Sequence, residues 1–380
     1  LNILLNFFPV RAGGGQQVAN NFIQIIAKEH FNHNWFVLVG EGSELHISAK
    51  KELSEYQIFS FPYSYLARIT ISKKLKELTT AHNIDLIYNY APTLQIPKIP
   101  QVVRSVYSNL YFPEIPFWSS YPFITQLKKK TIDYFRLRGT LKADGLVFEN
   151  NSMLDRASSL YNYPQNRMKY IEPSVSSFDV RNINAEYNKL KSLEGFKILY
   201  LSSWHLNKNI SVLPYVASLL KEANINVRFI LTLEPTNKEV ESNLLNVIHK
   251  LQVMDYFELI GKVKAIHVHQ VVKLSDAMIL LSKLECFSSN VVESYFFKKP
   301  LIIADEPWAR AACERAALFV DRENPNDIFS KIKDLVSDKA LRHELVSLGE
   351  TRLLHFNTPE EKVEKQVKFL EHIYEISKKG

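Results

Sequence analysis

Two cysteines, Cys286 and Cys313, are all that 380 residues contain. They stand in unrelated contexts, so a disulfide framework is not the basis of the fold, and a reducing cytoplasm fits best. No uninterrupted apolar run reaches about 18 residues, so no transmembrane helix is expected. The first residues are apolar without a basic stretch before them, and read as a first strand instead of a signal peptide. Glycine is scarce, 11 in all, yet three stand together at 13–15. A Gly-x-Ser-x-Gly elbow is missing, which counts against a hydrolase. The one His-x-His, His267-Val-His269, would point to two different faces of a helix, so zinc is not expected there.

Charge of one sign is not in large excess. There are 47 Lys+Arg against 40 Asp+Glu, a net charge of +7. That admits phosphate-bearing ligands or an anionic membrane surface as partners. It lacks the dense basic patch of a nucleic-acid binder. A hydrophobic fraction of 46% with 23% charged residues describes ordinary globular material. The length suggests two domains, each able to bury its own core.

Short apolar runs alternate with helical patterns throughout. In the first half strands are expected near Ile3–Phe8, Trp35–Val39, Ile58–Phe61, Asp85–Tyr90, Gln101–Val106, Gly145–Glu149 and Met168–Ile171. In the second they fall near Lys197–Leu201, Val227–Leu231, Phe257–Ile260, Ala277–Leu281, Leu301–Ala304 and Leu318–Val320. Strands apolar on both faces and separated by helices require parallel sheets with crossovers. The polar, aperiodic segment Glu172–Gly195 reads as a linker. That places one domain over 1–180 and the second over 196–357, with a closing helix over 359–378 able to pack back on the first. Thr358, Pro359 and Glu361 have the spacing of a capping box with proline at the first helical position.

The glycines of "VRAGGGQQV" follow the first strand and lead into a helix. They do not make a dinucleotide fingerprint, because the third position of Gly-x-Gly-x-x-Gly falls on Val18. Nor do they make a P-loop, because Gln16-Gln17 follow where Gly-Lys-Ser/Thr is needed. Gly40-Glu41-Gly42 also lacks a third glycine. What remains is a helix N-terminus that favours an anion or a sugar hydroxyl, or simply a tight turn needing positive φ.

The stretch Asp276–Ile328 carries more. An apolar strand ends at Glu285, the loop Cys286-Phe287-Ser288-Ser289 follows, a helix opens near Asn290, and Glu293 comes eight residues after Glu285. Next come a Lys-Pro strand start, Asp305 at the strand's end, and Ala316–Asp321. These residues resemble the retaining glycosyltransferases of the GT-B fold, family 4, with their Glu-x7-Glu signature. The resemblance implies an α/β protein of two doubly wound Rossmann-like domains with an interdomain cleft. Its first domain would bind the acceptor and its second the nucleotide-sugar.

By that resemblance Glu285 binds the donor sugar and supports positive charge on its ring, while Glu293 bonds the ribose hydroxyls. The loop Phe287, Ser288, Ser289, Asn290 and Val291 offers backbone N–H groups to the diphosphate. Lys208 stands at the family's phosphate-binding lysine position, and Ile260-Gly261 at the turn that holds the base. Gly14 and Gly15 would approach the donor from the first domain. Two readings of Glu293 stay open, because Asn290-Val-Val-Glu293 is also a capping-box spacing. Glu285 could equally be a solvated loop carboxylate.

The chain departs from the family twice. Ser202-Ser203 stands where Gly-Arg is usual, with His205 and Lys262 as substitute cations, and Tyr107-Ser108 stands where His-Asp is usual. No Asp-x-Asp occurs, so a metal-held donor of the GT-A kind is not expected, and neither metal nor cofactor is. The segment Tyr107–Lys142 interleaves aromatic with basic residues. It reads either as an aromatic core with a solvated helix or as a peripheral membrane contact.

The resemblance thus implies a metal-independent hexosyltransferase with a nucleoside-diphosphate-sugar donor and a saccharide or polyprenyl-linked saccharide acceptor. Its setting would be cytoplasmic, at the inner face of the membrane, in O-antigen, lipopolysaccharide or capsule assembly. A nucleotide-sugar epimerase, a phosphorylase or a non-catalytic sugar-nucleotide binder are the alternatives.

Overall fold

A computed structural model describes residues 1–11, 13–29, 31–63, 67–92, 99–175 and 180–379. The chain divides into two compact units, Leu1–Ser174 with Asn357–Gly380, and Val175–Phe356.

The first unit holds β1 (Asn2–Asn6), β2 (Asn34–Gly40), β3 (Ile58–Phe61), β4 (Leu86–Asn89), β5 (Gln101–Arg104), β6 (Gly145–Phe148) and β7 (Met168–Tyr170). All pair in parallel, in the order β3-β2-β1-β4-β5-β6-β7. Helices cover both faces, which is why the central strands are buried from end to end. Alternate side chains of β1 show the division: Ile3 and Leu5 join one core with Phe22 and Ile23, and Leu4 joins another with Leu38 and Leu75.

The closing helix, Pro359–Lys378, belongs to this unit and buries Val363, Val367, Leu370 and Ile373 against it. Its start is fixed by the Thr358–Glu361 capping box. Lys362 near that start reaches the buried Glu149, which also receives Arg104. Burial pushes the Glu149 carboxyl up, but the two cations outweigh this and hold it down at about 2.

The second unit holds β8 (Phe196–Tyr200), β9 (Val227–Leu231), β10 (Phe257–Leu259), β11 (Ala277–Leu280), β12 (Leu301–Ala304) and β13 (Leu318–Val320). They run parallel in the order β10-β9-β8-β11-β12-β13. The order reverses between β8 and β11. At such a switch point the two outgoing chains diverge, and ligands of open α/β sheets bind at the carboxyl ends of those strands.

The first unit ends at Ser174 and the second begins at Val175, inside the segment Glu172–Gly195 where the boundary is expected, though earlier than the ends placed at 180 and 196. One expectation needs correction: Glu172–Gly195 is not a bare linker, because a 3-10 helix, Ala185–Lys191, buries Tyr187 and Leu190 in it. Residues 176–179 of that segment lie outside the described residues. Among the described residues no helix is long and apolar enough to cross a membrane.

Candidate active site

The carboxyl ends of β8 and β11 carry the charged pair. Lys208 Nζ lies 2.6 Å from Glu285 Oε1, with both side chains mostly withdrawn from solvent. Asn207 stitches the two loops together: its amide donates to Leu284 O at 2.8 Å and accepts from Leu284 N at 3.1 Å. Its own carbonyl accepts from Lys283 N at 2.9 Å. Beneath them the buried Tyr200 hydroxyl donates to Lys208 O and accepts from Leu281 N. Glu285 is therefore a fixed, paired carboxylate and not a solvated one.

Helix Ser289–Phe296 begins directly after the Glu285 loop. Its N-cap is Ser288, which makes no side-chain cap, so the first backbone N–H groups keep their capacity for an external acceptor. Ser288 and Asn290 are buried, Ser289 is exposed, and Val291 N already bonds Ser288 O. The Asn290 amide donates to Leu201 O at 2.9 Å, tying the helix start to the end of β8. Phe287 packs edge-on against Phe356 with ring centroids 5.7 Å apart.

Glu293 does not close a capping box, so that reading falls. The residue as a whole keeps some exposure, but its Oε2 is shut off from solvent and has no hydrogen-bond partner. Burial raises its carboxyl to about 7. A carboxylate oxygen held dry and unpartnered one helical turn from an open N-terminus awaits a donor.

The remaining candidates divide. Gly261 has φ +73, and the N–H groups of Ile260, Gly261 and Lys262 are all engaged, by Leu231 O, Leu233 O and Glu234 respectively. That turn can offer a ligand only carbonyl oxygens. The Lys262 side chain is exposed. His205 is exposed too, and its Nδ1 accepts from Asn207 N at 3.0 Å.

In the first unit, Gly13 takes φ +73 as the N-cap of helix Gly14–Lys28. Gly15 accepts from the Tyr90 hydroxyl at 2.9 Å, and a Cβ there would sit 2.8 Å from that oxygen. Gly14 is exposed at the helix's first position. Ala12 of this loop lies outside the described residues. Tyr107, at the family's histidine place, lies under the Arg136 guanidinium at 4.0 Å, and Ser108 is buried.

Sequence reasoning missed Lys283. It is half-buried on the Glu285 loop, and its ammonium has no hydrogen-bond or ion-pair partner among the described residues. Burial, and then the nearby Arg322, lower its pKa. Arg322 itself is satisfied by Glu306 at 2.8 Å and Glu323 at 2.6 Å. A cavity of about 560 Å³ beyond β13 has five carboxylates in its wall, Asp305, Glu306, Asp321, Glu323 and Asp327. It would repel a diphosphate. Among the described residues no group of three or more His, Cys, Asp or Glu is placed to hold a metal ion.

Two parallel α/β units, with a charged pair at the switch point of the second, define a protein of the GT-B fold. Residues 183–352 match the family model described as glycosyl transferases group 1. Solved structures share the fold along the whole chain. A glycosyltransferase from Rickettsia africae ESF-5 is 16% identical, with 98% of each chain covered and a TM-score of 0.69. Sucrose-phosphate synthase from Thermosynechococcus elongatus is 13% identical over 99% of each, with a TM-score of 0.74. Anabaena HepE, solved with UDP and glucose, is 14% identical over 98% of this chain and 99% of its own, with a TM-score of 0.70. No curated protein matches the chain in sequence.

Proposed function

We propose that the protein is a retaining, metal-independent hexosyltransferase. It would move a sugar from a nucleoside-diphosphate donor to a saccharide or polyprenyl-linked saccharide at the inner face of a bacterial membrane. Surface polysaccharide assembly, of the O-antigen or capsule kind, is the setting. The observation that carries this reading is the Lys208–Glu285 pair at 2.6 Å beside an open helix N-terminus. HepE has been solved with UDP-glucose and S. aureus MnaA with UDP, which supports a nucleotide-sugar as ligand here.

In this reading the diphosphate competes with Glu285 for Lys208 and takes the N–H groups at Ser289 and Asn290. Lys283 supplies the second cation that the absent family arginine would have given. Glu285, released from Lys208, accepts hydroxyls of the donor sugar, and Glu293 accepts those of the ribose. The bond from C1 to the phosphate oxygen breaks with its electron pair leaving on the diphosphate. The acceptor oxygen bonds C1 from the same face, and its proton passes to the departing phosphate oxygen. Stabilising that leaving group is the electrostatic contribution of the protein.

The test is NMR of the product formed from donor and acceptor, with Glu285→Gln as control. Retained anomeric configuration, with turnover lost at least about a hundredfold in the variant, supports the reading. Inversion, or turnover indifferent to Glu285, rejects it.

A further inference from the structure

The segment Tyr107–Lys142 resolves into two parts of opposite character. Upstream, Tyr111 and Phe112 are buried core residues, and Tyr111 packs edge-on against Phe148 of β6. Downstream, helix Phe123–Leu141 is turned the wrong way round for a soluble protein. Six large apolar side chains on it, Phe123, Ile124, Leu127, Ile132, Tyr134 and Phe135, are between 45% and 79% exposed. At about 100° per residue, five of these fall in one arc of roughly 120°: Phe123, Tyr134, Leu127, Ile124 and Phe135.

The polar side is what faces the protein. Asp133 is buried and accepts from Asn109 at 2.7 Å, from Trp118 at 2.6 Å and from Arg136 at 3.0 Å. The Lys129 ammonium sits 4.2 Å from the Trp118 ring centre and 4.7 Å from that of Tyr121. These contacts fix the helix's rotation, so the apolar arc cannot roll inward without breaking them. A face of this kind is a binding surface.

Its rim identifies the occupant. Lys128 and Lys130 flank the arc and Arg138 lies within it, all exposed. From 123 to 142 the chain carries six basic residues, with Asp133 as the one acid. An apolar stripe edged by cations matches the boundary between acyl chains and anionic headgroups. We propose that the outward face of helix Phe123–Leu141 docks the protein on an anionic lipid surface. Phe123, Ile124, Leu127 and Phe135 enter the acyl boundary, while Lys128, Lys130 and Arg138 meet the headgroups. This names the element behind the membrane contact in the function proposed above. It involves no donor-binding residue, so the two ideas fail separately.

The experiment is flotation of the full chain with phosphatidylcholine vesicles, with and without phosphatidylglycerol. Binding to the anionic vesicles alone, reversed by salt, is expected. Combined Phe123→Ser, Leu127→Ser and Phe135→Ser should abolish it, while nucleotide binding persists as the sign of an intact fold. Combined Lys128→Gln, Lys130→Gln and Arg138→Gln should weaken it by about fivefold per charge. No flotation at low salt, or equal flotation with neutral vesicles, overturns the proposal. So does a wild-type dimer that the serine variant converts to monomer, because the face would then join two copies of the chain.

Discussion

Replacing Glu293 by Gln separates the cost of the site from its use. The carboxyl is raised by burial from 4.5 to about 7 in the folded chain. A raised carboxyl means that the folded state holds a proton the unfolded state has released. Stability is therefore undiminished below about pH 4.5, falls as pH climbs, and is at its lowest above pH 7. At 1.36 kcal/mol per unit the full penalty is about 3 kcal/mol, and residual exposure of the residue reduces it to about 1.5–3 kcal/mol. Gln has the same shape and no titration. At about pH 4 the variant and the wild type should be nearly equal in stability, whereas at about pH 8 the variant should be the more stable by that amount. Urea unfolding read by hydrogen exchange across β11 measures this for the second unit alone. Nucleotide affinity should move the opposite way, falling about tenfold at pH 8, because an ionised acceptor of the ribose hydroxyls is gone. Identical pH slopes for the two proteins would refute the buried, unpartnered carboxylate. Stabilisation without loss of affinity would refute its role toward the nucleotide.

Lys283→Met should likewise stabilise the second unit slightly while weakening nucleoside-diphosphate binding about tenfold, with little change for the nucleoside alone; calorimetric titration distinguishes these. Unchanged diphosphate affinity removes Lys283 from the site. Gly15→Ala drives a Cβ to 2.8 Å from the Tyr90 hydroxyl, whose ring is held under Arg104 at 4.4 Å, and should cost about 1–3 kcal/mol in thermal unfolding. In the first unit, Glu149 contributes about 3 kcal/mol above pH 4.5 that is lost as pH falls toward 2. Lys362→Met should destabilise that unit by about 3 kcal/mol and move its acid unfolding to higher pH; an unmoved acid limb would contradict the triad.

The strands were legible because most are short, largely apolar runs between helical patterns, and β3, β9, β12 and β13 fall where the residues place them. Local composition was a poor guide to Ala185–Lys191, where two buried residues, Tyr187 and Leu190, suffice to anchor an otherwise polar stretch. Glu285 and Lys208 were legible as types at positions, but their mutual pairing across 77 residues was not. The same holds for Lys362 and Glu149, 213 residues apart, since a long-range ion pair leaves no local pattern. Lys283 beside Glu285 looks like an ordinary solvated charge until its half-buried surroundings show no hydrogen bond or close ion pair for it among the described residues. The aromatic segment could not be divided from sequence, because the burial of Tyr111 rests on its packing against Phe148 and the exposure of Phe123 on which way helix Phe123–Leu141 is turned, and neither leaves a local pattern.

The central claim, that the second unit binds a nucleoside-diphosphate-sugar, is tested most directly by a thermal-shift panel. UDP, GDP, ADP and CMP would be compared, each free and with its common sugars. One base is predicted to stand out, its diphosphate stabilising the protein by about 2.7 kcal/mol at a hundredfold excess over Kd, with the effect reduced in Lys208→Ala. No stabilisation by any of the nucleotides, or stabilisation indifferent to Lys208, would contradict the account.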